Sequence, residues 1–296
     1  MWFKKAQIFK FEEKTNFTVE SLQEQLLQLE FTPCPSGLPT TQGWIAPSDE
    51  DESLVYAAGD FLLICLQVET KILPATVVTQ NLKERVKLIE SKQERKLSYK
   101  ERTALKHAIY NELLPQAFSR LTREYAFIDL KNNCLILNNN NLKSTQNFLT
   151  FFRRCIDDAK PVAFEVKKIP QILTTWLVSN QYPTEFKIED ACVLQDPKQK
   201  ERNIRIKQQD LAASYIKELI QNNYIVNQIK LTWSDQITFM LKHDFTLQSL
   251  QYSDAVIELT EDDQDNGPEA NFRTDFFIMS GILSKMMQEL VQVFVE

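Results

Sequence analysis

The chain has 296 residues, 43% of them apolar and 25% charged, with a net charge of −6, the proportions of a globular protein with one large domain or a few smaller ones. Five scattered cysteines without a CxxC pair, and two histidines far apart (His107 and His243), exclude a disulfide framework or an ordinary zinc motif and predict buried, reduced thiols in a cytoplasmic protein. The longest apolar runs, such as FLLICL at 61–66, fall far short of the roughly 18 residues of a membrane span, and the opening MWFKKAQIFKFEEK lacks a signal-peptide core.

Along the chain, WFKKAQIFKF alternates as a strand, and TVESLQEQLLQLEF follows with a Thr cap and helical spacing. PCPSGLPTTQGW at 33–44 reads as a loop, FLLICLQVE at 61–69 as a buried strand, and 75–114 as strongly charged helix. Strands return at 123–130 and 134–137, and a helix near 144–156 is expected to start at a Ser144 cap. The second half mixes PVAFEVKKI, a short helix around ILTTWLVSN, strands FKIEDACVLQ and NIRIKQQ, and the helix DLAASYIKELIQNN. Residues 225–252 read as an antiparallel meander turning at Lys242-His243-Asp244. Eight acidic residues and one Arg in 254–275 predict a solvated loop before a last helix at 275–295. Strands and helices do not alternate strictly, which argues for an α+β fold of mixed sheets and packed helices, with the central helices inserted. The expected domains are a discontinuous α+β domain of 1–74 and 120–165, a projecting helical hairpin of 75–119, and a C-terminal α+β domain of 166–296.

The charge distribution is uneven. Residues 81–125 hold eleven Lys/Arg against six Asp/Glu, a local excess of five positive charges in an acidic chain. Within KQERKLSYKERTALK at 92–106, Lys92, Arg95, Tyr99, Arg102 and Lys106 would form one cationic stripe on a continuous helix. A stripe of this kind suits a phosphate backbone, and a solvated helix face accounts for it equally well. Ser98-Tyr99-Lys100-Glu101, however, matches the S-x-x-E capping box of a new helix start. Two helices, about 75–96 and 98–114, would then fold back with Arg95, Lys96 and Lys100 near the exposed turn. Beyond them, Phe118 stands among polar and basic residues that include Arg120 and Arg123, either as a core plug or as a contact for another chain.

Catalytic signatures are sparse. The five glycines are too scattered for a phosphate loop, and neither GxSxG nor HExxH occurs. The nearest arrangement is nuclease-like: Asp158 and Glu165 to hold Mg²⁺ and Lys167 to polarise water, although an alternating strand explains EVKK as well. The reading is of a protein that is not an enzyme and needs no cofactor, with that metal-dependent nuclease as the alternative.

WFK at 2–4, FTPC at 31–34, GW at 43–44, KILP at 71–74, RKL at 95–97, LLPQAFSR at 113–120, LTTW at 173–176, IRIKQQDL at 204–211 and TDFFIMSG at 274–281 together, in order and spacing, resemble the bacterial recombination-associated protein RdgC family. The resemblance implies a DNA-binding protein without marked sequence preference, a ring-shaped homodimer around duplex DNA that restrains RecA-type recombinases in the nucleoid. Single-stranded DNA is a second candidate ligand. It places Phe118 at a subunit contact and Arg95 in the helical projection, where Arg95, Lys96 and Lys100, with Arg120 beyond, are the expected DNA contacts. Lys207, Gln208 and Gln209 match a polar segment near the ring opening, where the family often carries two consecutive lysines and this chain has one.

Overall fold

The computed structural model describes residues 1–49, 51–156, 159–260 and 268–295. It is a mixed α+β fold with a large, mainly antiparallel sheet and, among the described residues, eight α-helices. The chain forms two compact units, one of residues 1–26, 46–64 and 125–296, the other of 27–45 and 65–124.

The larger unit is organised around β1 (Lys5–Phe11), whose Ala6, Ile8, Phe9 and Phe11 are buried. Its partners are β6 (Cys134–Leu137), β7 (Pro161–Ala163) and β12 (Leu247–Tyr252), all antiparallel. From β12 the sheet continues through β11 (Ile237–Lys242), β10 (Ile225–Trp233), β8 (Phe186–Gln195) and β9 (Asn203–Ile206). β10, β11 and β12 are the meander that the alternating pattern predicts. On the other side of β6 lie β5 (Phe118–Asp129) and β4 (Phe61–Ile72). β3 (Val55–Ala58) joins β4 through the two-residue turn Gly59-Asp60, where Gly59 sits at φ 58, a conformation only glycine adopts without strain.

The core of this unit is the last helix, α8 (Pro268–Phe294). Phe276, Met279, Leu283, Met286, Met287, Leu290 and Phe294 repeat at helical spacing and are fully buried. Phe276 meets Phe127 with ring centroids 6.1 Å apart, and Phe294 meets Trp176 of α5 (Ile169–Ser179) at 5.3 Å. Deeply buried Asp129 accepts from the Asn132 amide and side chain and from the Ser284 hydroxyl of α8, so both its carboxyl oxygens are hydrogen-bonded.

The smaller unit contains β2 (Thr40–Ile45), paired with Cys65–Thr70 of β4. The 29–31 segment crosses so close to β2 that a Cβ on Gly43 would lie 2.3 Å from the Phe31 Cα. The adjacent Trp44 is completely buried and accepts from the Phe31 amide at 2.9 Å, so the Gly-Trp pair is a packing motif. From β4 the chain runs through Pro74 into α2 (Ala75–Gln93) and α3 (Tyr99–Leu113), then through a 3₁₀ turn at Leu114–Gln116 into β5.

Several element boundaries differ from the sequence reading. Residues 40–45 are strand, because Gly43 makes room for a close neighbour instead of ending regular structure. The helix expected from Ser144 starts earlier, as α4 (Leu142–Cys155): the Asn141 side chain accepts from the Ser144 amide at 3.1 Å, making Asn141 the cap. α8 begins at Pro268, seven residues before the expected start, with proline in the first turn where its missing N–H costs nothing. A short α7 (Asp254–Glu258) lies where only loop is expected, and residues 261–267 of that acidic stretch are outside the described residues. PVAFEVKKI is strand only at β7, with Val166 in an isolated bridge to Val295. Four of the five cysteines are buried, as expected of small apolar side chains, and Cys34 is half-buried.

Candidate nucleic-acid interface

α2 ends because Glu94 turns left-handed, at φ 51. α3 begins three residues after the expected end of its predecessor, with Ser98 as its cap. The capping box is complete: the Glu101 amide donates to the Ser98 hydroxyl at 3.4 Å, and the Ser98 amide donates to the Glu101 carboxylate at 2.8 Å. Arg95 clamps the same carboxylate from outside, with two bonds of 3.0 and 2.6 Å. These bonds, Arg95 foremost, hold the Glu101 pKa down at about 2.

A second carboxylate ties the two helices together. Glu90 of α2 accepts from the Leu97 amide and from the Arg102 guanidinium of α3, each at 2.9 Å. Glu90 thereby closes the connection between the helices, while Arg95 pairs with Glu101. Farther along, Arg85 donates to Glu112 at 2.7 Å. Only Val78 of α2 and Ile109 of α3 are buried, so caps and charge pairs carry much of what orients these helices.

The predicted contacts at this connection are all exposed, but they differ in electrostatic state. Arg95 is neutralised by Glu101, whereas Lys92, Lys96, Lys100 and Lys106 make no ion pair among the described residues, although the charge of Lys96 acts on Glu90. The available cations are thus lysines, while the arginines position the backbone. One face of α3 carries Tyr99, Arg102, Lys106, His107 and Tyr110, and with Val78 and Leu82 of α2 it lines a groove of about 520 Å³. Tyr99 is 85% exposed. Tyr110 was missed in the sequence, though counting the Tyr99-Arg102-Lys106 spacing onward by one more turn reaches it.

Phe118 opens β5 and is 86% exposed, which overturns the core-plug reading. Ser119, Arg120, Leu121, Thr122 and Arg123 after it are exposed as well, so an aromatic, a leucine and basic groups share one open stretch of strand. Such a stretch suits another chain better than it suits water.

Lys207, Gln208 and Gln209 follow β9 and are exposed. Gln208 is left-handed, at φ 53, and the Gln209 amide donates to the Asp190 carbonyl at 3.2 Å. Gln208 and Gln209 line a groove with Glu189, Asp190 and Asp210. Lys230 is bonded to Asp190 at 2.9 Å and depresses its pKa, so this cation is already occupied. A phosphate here would meet carboxylates, making this the poorer of the two cationic candidates.

The nuclease arrangement gains nothing from the geometry. Asp158 lies outside the described residues, Glu165 is exposed, and the Lys167 amine donates to the Val293 carbonyl at 3.5 Å near the end of α8. Among the described residues, no three His, Cys, Asp or Glu side chains cluster as metal ligands, and no helix is long and apolar enough to cross a membrane.

Exposed cations on a short helix pair, an exposed aromatic strand start and a large antiparallel sheet define an α+β protein with surfaces suited to a polyanion and to another protein chain. The family model described as "Putative exonuclease, RdgC" matches residues 1–296, and the chain belongs to the RdgC family. It is 34% identical to the recombination-associated protein RdgC of Aeromonas hydrophila over 98% of this chain and 96% of that protein. The proteins of the same name from Tolumonas auensis and Psychromonas ingrahamii are 33% and 31% identical, with 97% and 98% of their lengths covered.

Proposed function

We propose that this protein binds DNA without reading its sequence, as a homodimer that encircles the duplex and restrains RecA-type recombination at the nucleoid, catalysing no reaction. The observation that carries the reading is the group of exposed lysines around the α2–α3 connection, Lys92, Lys96, Lys100 and Lys106, which make no ion pair among the described residues. The family's recombination-associated relatives supply the biological context. Lysine ammoniums neutralise phosphates whatever the bases, so affinity comes from counterion release and orientation from backbone contacts. Arg120 lies beyond the helix pair on the exposed stretch of β5, and Lys207 with Gln208 and Gln209 is a weaker contact near the place where the ring would open.

A twofold ring made of one kind of chain needs two self-complementary contacts, and exposed Phe118 is the candidate anchor of one. Restraint of recombination then follows from occupancy: a duplex already enclosed is closed to a recombinase filament. Sizing the protein alone and with a short duplex tests both parts together. A dimer that shifts to a DNA-bound dimer is expected, with the DNA still intact after incubation with Mg²⁺ or Mn²⁺. A monomer indifferent to DNA would contradict the proposal, and degraded DNA would restore the nuclease reading.

A further inference from the structure

We infer that the groove along α3 is a docking site for a third helix supplied by a partner protein, an amphipathic segment with one apolar face and acidic flanks. The inference goes beyond DNA binding, because phosphates answer to exposed lysines and make no use of an apolar groove.

α2 and α3 are an incomplete packing unit. Together they bury only Val78 and Ile109, while Val77, Leu88 and Tyr99 stay exposed. Helices of this length draw most of their stability from packing an apolar face, and a groove of about 520 Å³ is left open between these two. Val78 and half-buried Leu82 line it from α2, with Tyr99, Arg102, Lys106 and Tyr110 from α3. The α3 residues recur at spacings of three and four, so they form one strip, about 16 Å long at 1.5 Å per residue. Three turns of a helix laid along the strip would cover it, the helix-in-groove mode of recognition.

The lining also sets the charge of the occupant. Among the described residues no Asp or Glu lines the groove, whereas Arg102, Lys106 and His107 do. Arg102 is paired with Glu90, and Lys106 is exposed and makes no ion pair among the described residues. A basic helix would be repelled here, and a wholly apolar one would gain nothing from Lys106, so acidic flanks complement the rim. Tyrosine and arginine are the residue types that contribute most to an interface once water is excluded from them, and this groove presents both.

The probe is a fluorescein-labelled synthetic peptide with leucines at i, i+3, i+4 and i+7 and glutamates on the flanks. Its controls are the same residues in scrambled order and a version with lysine in place of every glutamate. Anisotropy titrations at about 150 mM salt, where surface charges are screened, would compare the protein with Leu82→Ser, Lys106→Glu and the double variant Lys96→Glu, Lys100→Glu. Duplex DNA would be titrated in parallel. The expected result is that the acidic amphipathic peptide binds and both controls bind at least about tenfold more weakly. Leu82→Ser and Lys106→Glu should each lower its affinity at least about fivefold, and the double variant by less than about twofold. Lys106 is exposed, so its reversal leaves the fold intact even if Leu82→Ser does not. Equal binding of ordered and scrambled peptide would reduce the effect to bulk charge and overturn the docking site. Absence of peptide binding would also overturn it: weaker self-association of Leu82→Ser would then give the groove to a second copy, and weaker oligothymidine binding would give it to nucleic acid. Peptide binding without duplex binding would keep the docking site and remove the DNA reading, and duplex binding without peptide binding would do the reverse.

Discussion

α8 and the α2–α3 pair are stabilised in opposite ways. α8 turns Phe276, Met279, Leu283 and four more side chains into the core of its unit, and its position follows from burial. α2 and α3 bury little beyond Val78 and Ile109, and are organised by the Ser98 cap and by the carboxylates of Glu90 and Glu101. A helix that spends its faces on packing has none left for a ligand. The pair, by contrast, keeps its lysines and Tyr99 in water, and this is why it is the better place to look for DNA binding.

Four changes probe the contrast. Phe276→Ala removes a fully buried ring and should destabilise the larger unit by about 3–5 kcal/mol, read by denaturant unfolding, with the DNA affinity of the folded fraction unchanged. Lys96→Glu with Lys100→Glu should leave stability almost untouched and reduce duplex affinity more than tenfold at low salt. Two lost phosphate contacts would also flatten the salt slope by about 1.8, from the roughly 0.9 per neutralised phosphate. Equal affinity would remove the connection from the DNA site. Arg95 is deliberately left in place, because its reversal would release Glu101 and disturb the cap together with the charge.

Ser98→Ala should cost about 1 kcal/mol of local stability, seen as faster amide exchange in the first turn of α3 and not in α8. The smallest change in stability is expected for Phe118→Ala, within about 0.5 kcal/mol, since the ring is 86% exposed. The same variant should weaken self-association on sizing, and a large loss of thermal stability without a change in oligomeric state would return Phe118 to a purely structural role.

Acid offers a further separation of the two regions. Glu101 has its pKa lowered from 4.5 to about 2 by Arg95 and the Ser98 groups, so its folded-state bonds favour the ionised form. That stability is fully present above about pH 4.5 and is lost as the pH falls toward 2. Chemical-shift titration should therefore find the α2–α3 connection loosening across this window, and Glu101→Gln should reduce the dependence there to the part carried by Glu90, whose pKa the Leu97 amide and Arg102 also lower.

The capping box was legible in the sequence because it is a local device: Ser98 and Glu101 need only each other and the intervening backbone. The meander was legible because one sheet face is buried and the period of two follows. What escaped depends on distant partners. Gly43 looked like a loop residue until the 29–31 segment arrived beside it. Asn141 was hidden in a run of asparagines, any of which could cap α4. Phe118 could not be assigned to core or surface from its neighbours, since the exposure of β5 up to Arg123 depends on which strand edges are covered. In the candidate site, the capping box placed Arg95, Lys96 and Lys100 near the turn, but could not show that Glu101 would pair with Arg95.

The central claim, DNA binding through phosphates without base recognition, is tested most directly by titrating salt against affinity for two duplexes of equal length and unrelated sequence. The account predicts two coincident lines in which log affinity falls steeply and linearly with log salt. Affinity that is insensitive to salt, or that separates the two sequences by an order of magnitude or more, would contradict it.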